Sequence, residues 1–265
     1  MGDIIKTKAA VISQEQLTDG IYSMYLMAPS IARKAAAGQF ISLYSGDRSR
    51  LLPRPISICQ TDAEGGRVRI VYRIAGAGTD EFSRRVPGDE IDVMGPLGNG
   101  YEARIEREGR RITDDTVSII TGGGIGIPPM LQLASQLKGR KIIVLGYKDQ
   151  LFLNKEFEKY GQVYISTEDG SAGTKGNILD AIREHDISGD YIFSCGPTPM
   201  LRAVKAFAAE KGMTAYLSLE ERMACGIGAC LGCVCTTKEK DSHSNVKNAR
   251  VCKDGPVFNA SEVEI

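Results

Sequence analysis

The 265-residue sequence contains no tryptophan and only two histidines, His185 and His243, both in polar surroundings. With imidazole so scarce, histidine-based acid–base catalysis has little to work with, and the weight shifts toward chemistry carried by a bound cofactor. Net charge is lacking as well, since 33 Lys+Arg stand against 33 Asp+Glu. No field draws the chain to nucleic acid or an anionic membrane, and neither is expected as a partner. Long apolar runs are missing too: nothing approaches a membrane span, and the opening MGDIIKTKAAVISQEQL has no signal-peptide core. The expectation is a cytoplasmic protein, long enough for two domains.

What is present in quantity is cysteine. There are seven, an odd number, in a chain without an export signal, which favours metal or redox chemistry over a disulfide framework. Four of the seven crowd into MACGIGACLGCVC, Met223–Cys235, spaced by three glycines.

The first hundred residues alternate in short strands such as IYSMYLM, RPISIC and RVRIVYRI, separated by Gly and Pro. That rhythm predicts a small antiparallel barrel, with only Thr79–Val86 helical. After GPLGNGYEARIEREGRRIT, apolar strands (TVSIIT, KIIVLGY, VYIST, YIFSC) alternate with helical stretches (PPMLQLASQLKG, LNKEFEKYG, NILDAIREH, TPMLRAVKAFAAEKG). This predicts a parallel sheet with helices on both faces. The fold class is therefore mixed β and α/β, with units at 1–105, 106–218 and a small cysteine-bearing segment at 219–265.

Two stretches are built for phosphate. In TVSIITGGGIGIPPM a strand leads through Gly122, Gly123, Gly124 and Gly126 to Pro128, which suits the first turn of a helix. Bare amides and the positive helix end then face an anion. The dinucleotide fingerprint is incomplete, with Ile127 at its third glycine position, and a plain strand-to-helix turn is the alternative. Asp149, after the next strand, suits a ribose hydroxyl or a solvated loop. The second stretch is Arg54, Pro55, Ile56, Ser57, where an arginine fixed beside proline offers a rigid fork. Gly78 and Thr79 open a short helix, with Thr79 as its expected N-cap. A surface ion pair and a simple cap are the alternatives.

Cys225-x4-Cys230-x2-Cys233 with a cysteine downstream is the spacing of plant-type 2Fe-2S ligation. Cys252, beyond an eighteen-residue loop, is the downstream candidate. Gly226, Gly228 and Gly232 permit amides to approach the sulfurs. Zinc is a rival, although structural zinc gathers its thiolates in C-x2-4-C pairs. Cys235 is read as a packed thiol, and is the alternative fourth ligand. Cys59 and Cys195 read as core thiols, and Met200, Leu201, Val204 and Phe207 as the core face of a helix. Lys238, Lys240, Lys247, Arg250 and Lys253 tint the cysteine segment basic, as a solvated hairpin or a partner surface.

R-P-x-S, G-x-T, G-G-G-x-G-x-x-P and CGPTPM together resemble the ferredoxin-NAD(P) reductase superfamily. The resemblance implies a barrel holding FAD, lined by Arg54, Pro55, Ile56, Ser57, Val71, Tyr72, Arg73, Gly78 and Thr79. It implies an NAD-binding domain in which Gly122 to Ile127 face the pyrophosphate and Cys195, Gly196 and Pro197 lie beside the nicotinamide, with Ser166–Gly176 as a further nucleotide-side loop. LSLEERMACGIGACLGC followed by CKDGPVF is similar to one branch, the electron-transfer subunits of type 1B dihydroorotate dehydrogenases, over essentially the whole chain. That branch implies a heterotetramer with two FMN-containing catalytic subunits, and electron flow from dihydroorotate through the 2Fe-2S cluster and FAD to NAD+ in pyrimidine biosynthesis. Related ferredoxin–NADP oxidoreductase and sulfide dehydrogenase subunits carry Asp at the first cluster position, so Cys225 favours the dihydroorotate branch. A reductase serving a different partner and a zinc-binding interaction module are the competing readings.

Overall fold

In the computed structural model, which describes residues 4–240 and 245–265, six antiparallel strands close into a barrel; His243 lies outside the described residues. The strands are β1 (Ile5–Thr18), β2 (Ile21–Met27), β3 (Phe40–Leu43), β4 (Arg54–Asp62), β5 (Arg67–Arg73) and β6 (Glu90–Leu97), in the order β1-β2-β5-β4-β3-β6. Alternate residues point inward, so Ala9 and Val11, Met24 and Leu26, and Val68, Ile70 and Tyr72 meet in one interior core. Closure leaves no open edge. A short helix α1 (Pro29–Ala32) links β2 to β3, and α2 (Ala77–Ser83) links β5 to β6.

The stretch expected to join the two domains contains a helix, α3 (Tyr101–Arg107). It is followed by β7 (Val117–Gly123), α4 (Ile127–Gln136), β8 (Arg140–Tyr147), α5 (Asn154–Phe157), β9 (Gln162–Thr167), β10 (Thr174–Lys175), α6 (Ile178–Glu184), β11 (Tyr191–Cys195), α7 (Thr198–Glu210) and β12 (Thr214–Ser218). Their strands pair in parallel, and β7, β8 and β11 are buried along most of their length, as a sheet covered on both faces requires. Then come β13 (Val234–Thr237), β14 (Asn248–Arg250), β15 (Val257–Asn259) and β16 (Val263–Glu264). β14-β13-β16 form a small sheet, while β15 adds an antiparallel edge to the large one, whose order is β10-β9-β8-β7-β11-β12-β15. The cysteine segment is thereby stitched into the second sheet.

The outer face of β5 carries Val71 and Arg69, both buried because the second domain covers them. Arg69 donates to Glu156 of α5 at 2.6 and 3.0 Å, and to Gln60 and Ser23 of the barrel. Gln132 of α4 accepts from the Thr61 amide at 2.8 Å and donates to the Thr61 hydroxyl at 3.0 Å. Polar bonds made in cover from water, such as these, fix how the two sheets face each other.

Candidate functional site

On the barrel, Arg54, Pro55, Ile56 and Ser57 form the start of β4 and pair with Leu43, Ser42, Ile41 and Phe40. All four are partly exposed, whereas Ile58 and Cys59 behind them are buried. The Arg54 guanidinium lies over Gly78, where a Cβ would stand 2.5 Å from Nε, so the bare glycine lets arginine and backbone approach. Val71 and Tyr72 are buried in β5 and Arg73 is exposed at its end. Thr79 departs from the expectation of an N-cap: the helix starts at Ala77 after Gly76, placing Thr79 in the first turn. Its hydroxyl accepts from the Ala75 amide at 2.9 Å and donates to the Gly76 carbonyl at 3.0 Å, closing the turn ahead of the helix.

Two residues that sequence reasoning missed hold this corner. Glu81 accepts from the Gly46 amide (2.7 Å), Arg85 (2.8 Å), Arg50 (3.0 Å) and the Ser45 hydroxyl, tying the 45–50 loop to α2. Burial opposes its charge, yet the bonds from Ser45, Gly46 and Arg85 outweigh burial and hold its carboxyl below the ordinary 4.5. Gln14 donates to the carbonyls of Phe82, Ser83 and Arg85 at the far end of α2 and accepts from Tyr72 at 2.7 Å.

The second part lies where the strand order of the parallel sheet reverses, between β7 and β11. Crevices at the carboxyl ends of such strands bind ligands in open α/β sheets. Gly122 and Gly123 end β7, Gly124–Gly126 form a tight 3-10 turn, and α4 begins at Ile127 with Pro128 in its first turn, as expected. Cys195 pairs with Gly122 on one side and Ser218 on the other, and Gly196 and Pro197 lead into α7. A Cβ on Gly126 would stand 2.5 Å from the Cys195 carbonyl carbon, so the two turns are in direct contact. Burial pushes the Cys195 thiol well above its usual range, with Glu220 adding and the Ser218 hydroxyl opposing. Burial raises the Glu220 carboxyl above its ordinary value, and the charge of Arg73 opposes that rise. Neither Ser218 nor Glu220 carried a sequence signal. Asp149 is exposed beside the Ser166–Gly176 loop, and its carbonyl accepts from Ser171 at 3.4 Å.

The third part is the cysteine loop. Its thiols form two pairs, Cys225 with Cys230 and Cys233 with Cys252, and Cys252 is near enough to Cys225 to feel its charge. Amides aim at the sulfurs: those of Ile227, Ala229 and Cys230 donate to Cys225 Sγ at 3.3–3.5 Å, that of Gly232 to Cys230 Sγ at 3.4 Å, and that of Cys252 to Cys233 Sγ at 3.4 Å. Burial disfavours the Cys225 thiolate, but the amides of Ile227, Cys230 and Ala229, with the Cys230 thiol, prevail and bring its pKa down to about 6. Gly226 and Gly228 have φ of 70° and 84°, which their lack of a Cβ makes easy. A Cβ on Gly226 would stand 3.1 Å from Ser42 Oγ and 3.4 Å from Leu97 Cδ1, so the loop lies close against the barrel wall. Cys235, in β13 opposite Ala249, is buried in the core, and burial raises its thiol to about 11. Cys59 is a core residue at 0% exposure, where burial lifts its thiol to about 12.

Among the described residues no three Cys, His, Asp or Glu converge on one ion position. Two thiol pairs in one neighbourhood suit a 2Fe-2S cluster, which takes four cysteine thiolates. The amides directed at sulfur are what an anionic cluster requires around it. The Arg54–Gly78 approach likewise fits a phosphate-bearing cofactor on the barrel.

The family model of the iron-sulfur cluster binding domain of dihydroorotate dehydrogenase B matches residues 220–264. The dihydroorotate dehydrogenase B (NAD(+)) electron transfer subunit of Fusobacterium nucleatum is 44% identical over 260 residues, covering 94% of this chain and 95% of that protein. Its counterpart in Listeria monocytogenes serotype 4a is 42% identical over 267 residues, covering 99% and 100%. Among solved structures, an NADH-dependent reduced ferredoxin-NADP oxidoreductase, described in work on flavin-based electron bifurcation, superposes with a TM-score of 0.82 at 27% identity over 97% of this chain and 89% of that one. A ferredoxin reductase of carbazole 1,9a-dioxygenase, at 18% identity and a TM-score of 0.64 over 79% and 67%, shares the fold. The chain belongs to the family of electron transfer subunits of dihydroorotate dehydrogenase B.

Proposed function

We propose that Cys225, Cys230, Cys233 and Cys252 hold a 2Fe-2S cluster, that Arg54–Ser57, Val71–Arg73, Gly78 and Thr79 line FAD, and that Gly122–Gly126 and Cys195–Pro197 face NAD. The chain is an oxidoreductase subunit. It works with an FMN-containing catalytic subunit that oxidises dihydroorotate, in a heterotetramer of two of each, and it delivers the electrons to NAD+ for pyrimidine biosynthesis. A flavin exchanges a hydride with a pyridine nucleotide and single electrons with an iron–sulfur cluster, which is the chemistry the bound groups supply.

The residues of the chain bind and orient. Arg54 pairs with phosphate while Glu81 and Gln14 brace α2 beneath it. The bare amides of the Gly122–Gly126 turn receive the pyrophosphate. The loop amides stabilise the thiolates, and Gly226 seats the loop on the barrel strand that pairs with Pro55. Residues 1–105, 106–218 and 219–265 form the flavin, nucleotide and cluster units of this proposal. The setting is cytoplasmic, in keeping with seven free cysteines; among the described residues no helix is long and apolar enough to cross a membrane.

The observation carrying the proposal is the pairing of four thiols, with amides aimed at their sulfurs, against the wall of the flavin barrel. Its test is anaerobic purification followed by absorbance, flavin extraction and metal analysis. Flavin bands over a broad iron–sulfur absorbance, with about two irons per chain, are expected. A colourless protein loaded with zinc would refute it.

A further inference from the structure

The nucleotide cleft has two turns, Gly122–Gly126 after β7 and Cys195–Pro197 after β11, and one side chain lies against both. Met200 is the third residue of α7 and is partly buried. Side chains on a helix lean toward its N-terminus, so Met200 falls back over the turn that precedes its own helix. A Cβ on Gly196 would stand 2.5 Å from Met200 Cε and 3.0 Å from Sδ, and one on Gly123 would stand 3.3 Å from Cε and closer still to Sδ. The same two hypothetical atoms approach the opposite turn, at 3.2 Å from Gly123 N and 3.3 Å from Pro197 Cδ.

Neither glycine is needed for its backbone conformation. Gly123 has φ −122°, an ordinary extended value, and Gly196 is not among the residues with positive φ. At both positions the atoms a Cβ would meet first belong to one flexible thioether. We infer that Met200 is a positioning residue that packs against both nucleotide-facing turns, holding the nicotinamide side in register with the pyrophosphate side. A methionine suits this role because an unbranched, polarisable chain fills an irregular gap between backbones that a β-branched residue would pry apart. The inference rests on the assignment of this cleft to NAD.

The geometry makes two consequences separable. The pyrophosphate turn binds the nucleotide by its amides, so truncating Met200 should leave binding nearly intact while the nicotinamide side loses its registration. Hydride transfer is sensitive to misplacement of about 1 Å, which costs on the order of 100-fold. In the complex with the catalytic subunit, Met200→Ala is expected to slow single-turnover flavin reduction by NADH about 10- to 100-fold, with half-saturating NADH changed less than about 3-fold. Met200→Leu should recover most of the rate.

A second readout does not depend on turnover. Gly196→Ala should lower the thermal midpoint of the complex by about 3–6 °C when Met200 is present, and by less than about half of that in the Met200→Ala background, because the atom it collides with has gone. If Gly196→Ala does not accumulate, Gly123→Ala meets the same side chain and repeats the cycle. Equal midpoint losses in both backgrounds, or a Met200→Ala rate within about 2-fold of the parent, overturn the role of Met200 alone. A parent complex whose flavin NADH does not reduce overturns the nucleotide assignment, and this inference with it.

Discussion

A thiol becomes a metal ligand by losing its proton, and the loop around Cys225 is arranged to make that loss easy: three amides within 3.5 Å reach its sulfur. At this scale the prediction concerns ligand identity. Replacing Cys225, Cys230, Cys233 or Cys252 by Ser should each reduce iron from about two per chain to near zero, because an incomplete thiolate set does not retain the cluster. Cys235→Ser should keep its iron. Iron analysis and the electron paramagnetic resonance signal of the reduced protein check the series; cluster loss in Cys235→Ser with retention in Cys252→Ser would reverse the assignment. Spacing alone left Cys235 and Cys252 as rivals. Their difference lies in contacts no spacing can express: Cys252 pairs its thiol with that of Cys233 and donates its amide to Cys233 Sγ, whereas Cys235 sits in the β13 ladder opposite Ala249.

Among the elements, α2 shows how a seven-residue helix, too short to persist alone, is held by its neighbours. Gln14 binds its C-terminal carbonyls and Glu81 clamps the 45–50 loop onto it. Because the Glu81 carboxyl is held below its ordinary 4.5, its stabilisation is fully present above that value and is lost as the pH falls through the depressed one. Flavin release followed by fluorescence should therefore show an acid-induced step below about pH 4.5 that Glu81→Gln lacks, the variant holding flavin more weakly at neutral pH but with a flatter profile. Identical acid profiles in the two proteins would contradict this role. Most elements were legible in the sequence: strand alternation announced the barrel, and strand–helix alternation the parallel sheet. What escaped notice was short or carried by a single contact. α3 hides in a charged stretch whose buried Tyr101, Arg104 and Ile105 are recognisable only once the domains close on them. β15 has three residues, too few for any period, and is a strand because β12 offers it an open edge. Glu81 carries no sequence signal, since its four partners come from a loop and a neighbouring turn. Thr79 is the expected N-cap, but the cap is Gly76, three residues earlier, and the helix begins at Ala77.

For the whole molecule the governing quantity is the fixed relation of the barrel to the second sheet, since a hydride cannot cross a gap that opens. Arg69, with a side chain 5% exposed, spans that boundary to Glu156, which is 36% exposed, and its guanidinium also lies over the Tyr25 ring at 5.3 Å. Losing one partner strands a buried charge. After allowance for the exposure of the glutamate, Glu156→Ala should cost about 2 kcal/mol in denaturant unfolding, and the Arg69→Met, Glu156→Ala pair less than the sum of the singles. Additive losses would show that the pair does not couple the domains. The central claim, that this chain carries electrons from a partner that oxidises dihydroorotate to NAD+, is tested most directly by mixing the chain anaerobically with its catalytic subunit and following NADH formation from dihydroorotate and NAD+. NADH should form only when both subunits are present, and should fail to form when Cys252→Ser replaces the parent chain; NADH formation by this chain alone, or by the complex carrying Cys252→Ser at the parent rate, would contradict the account.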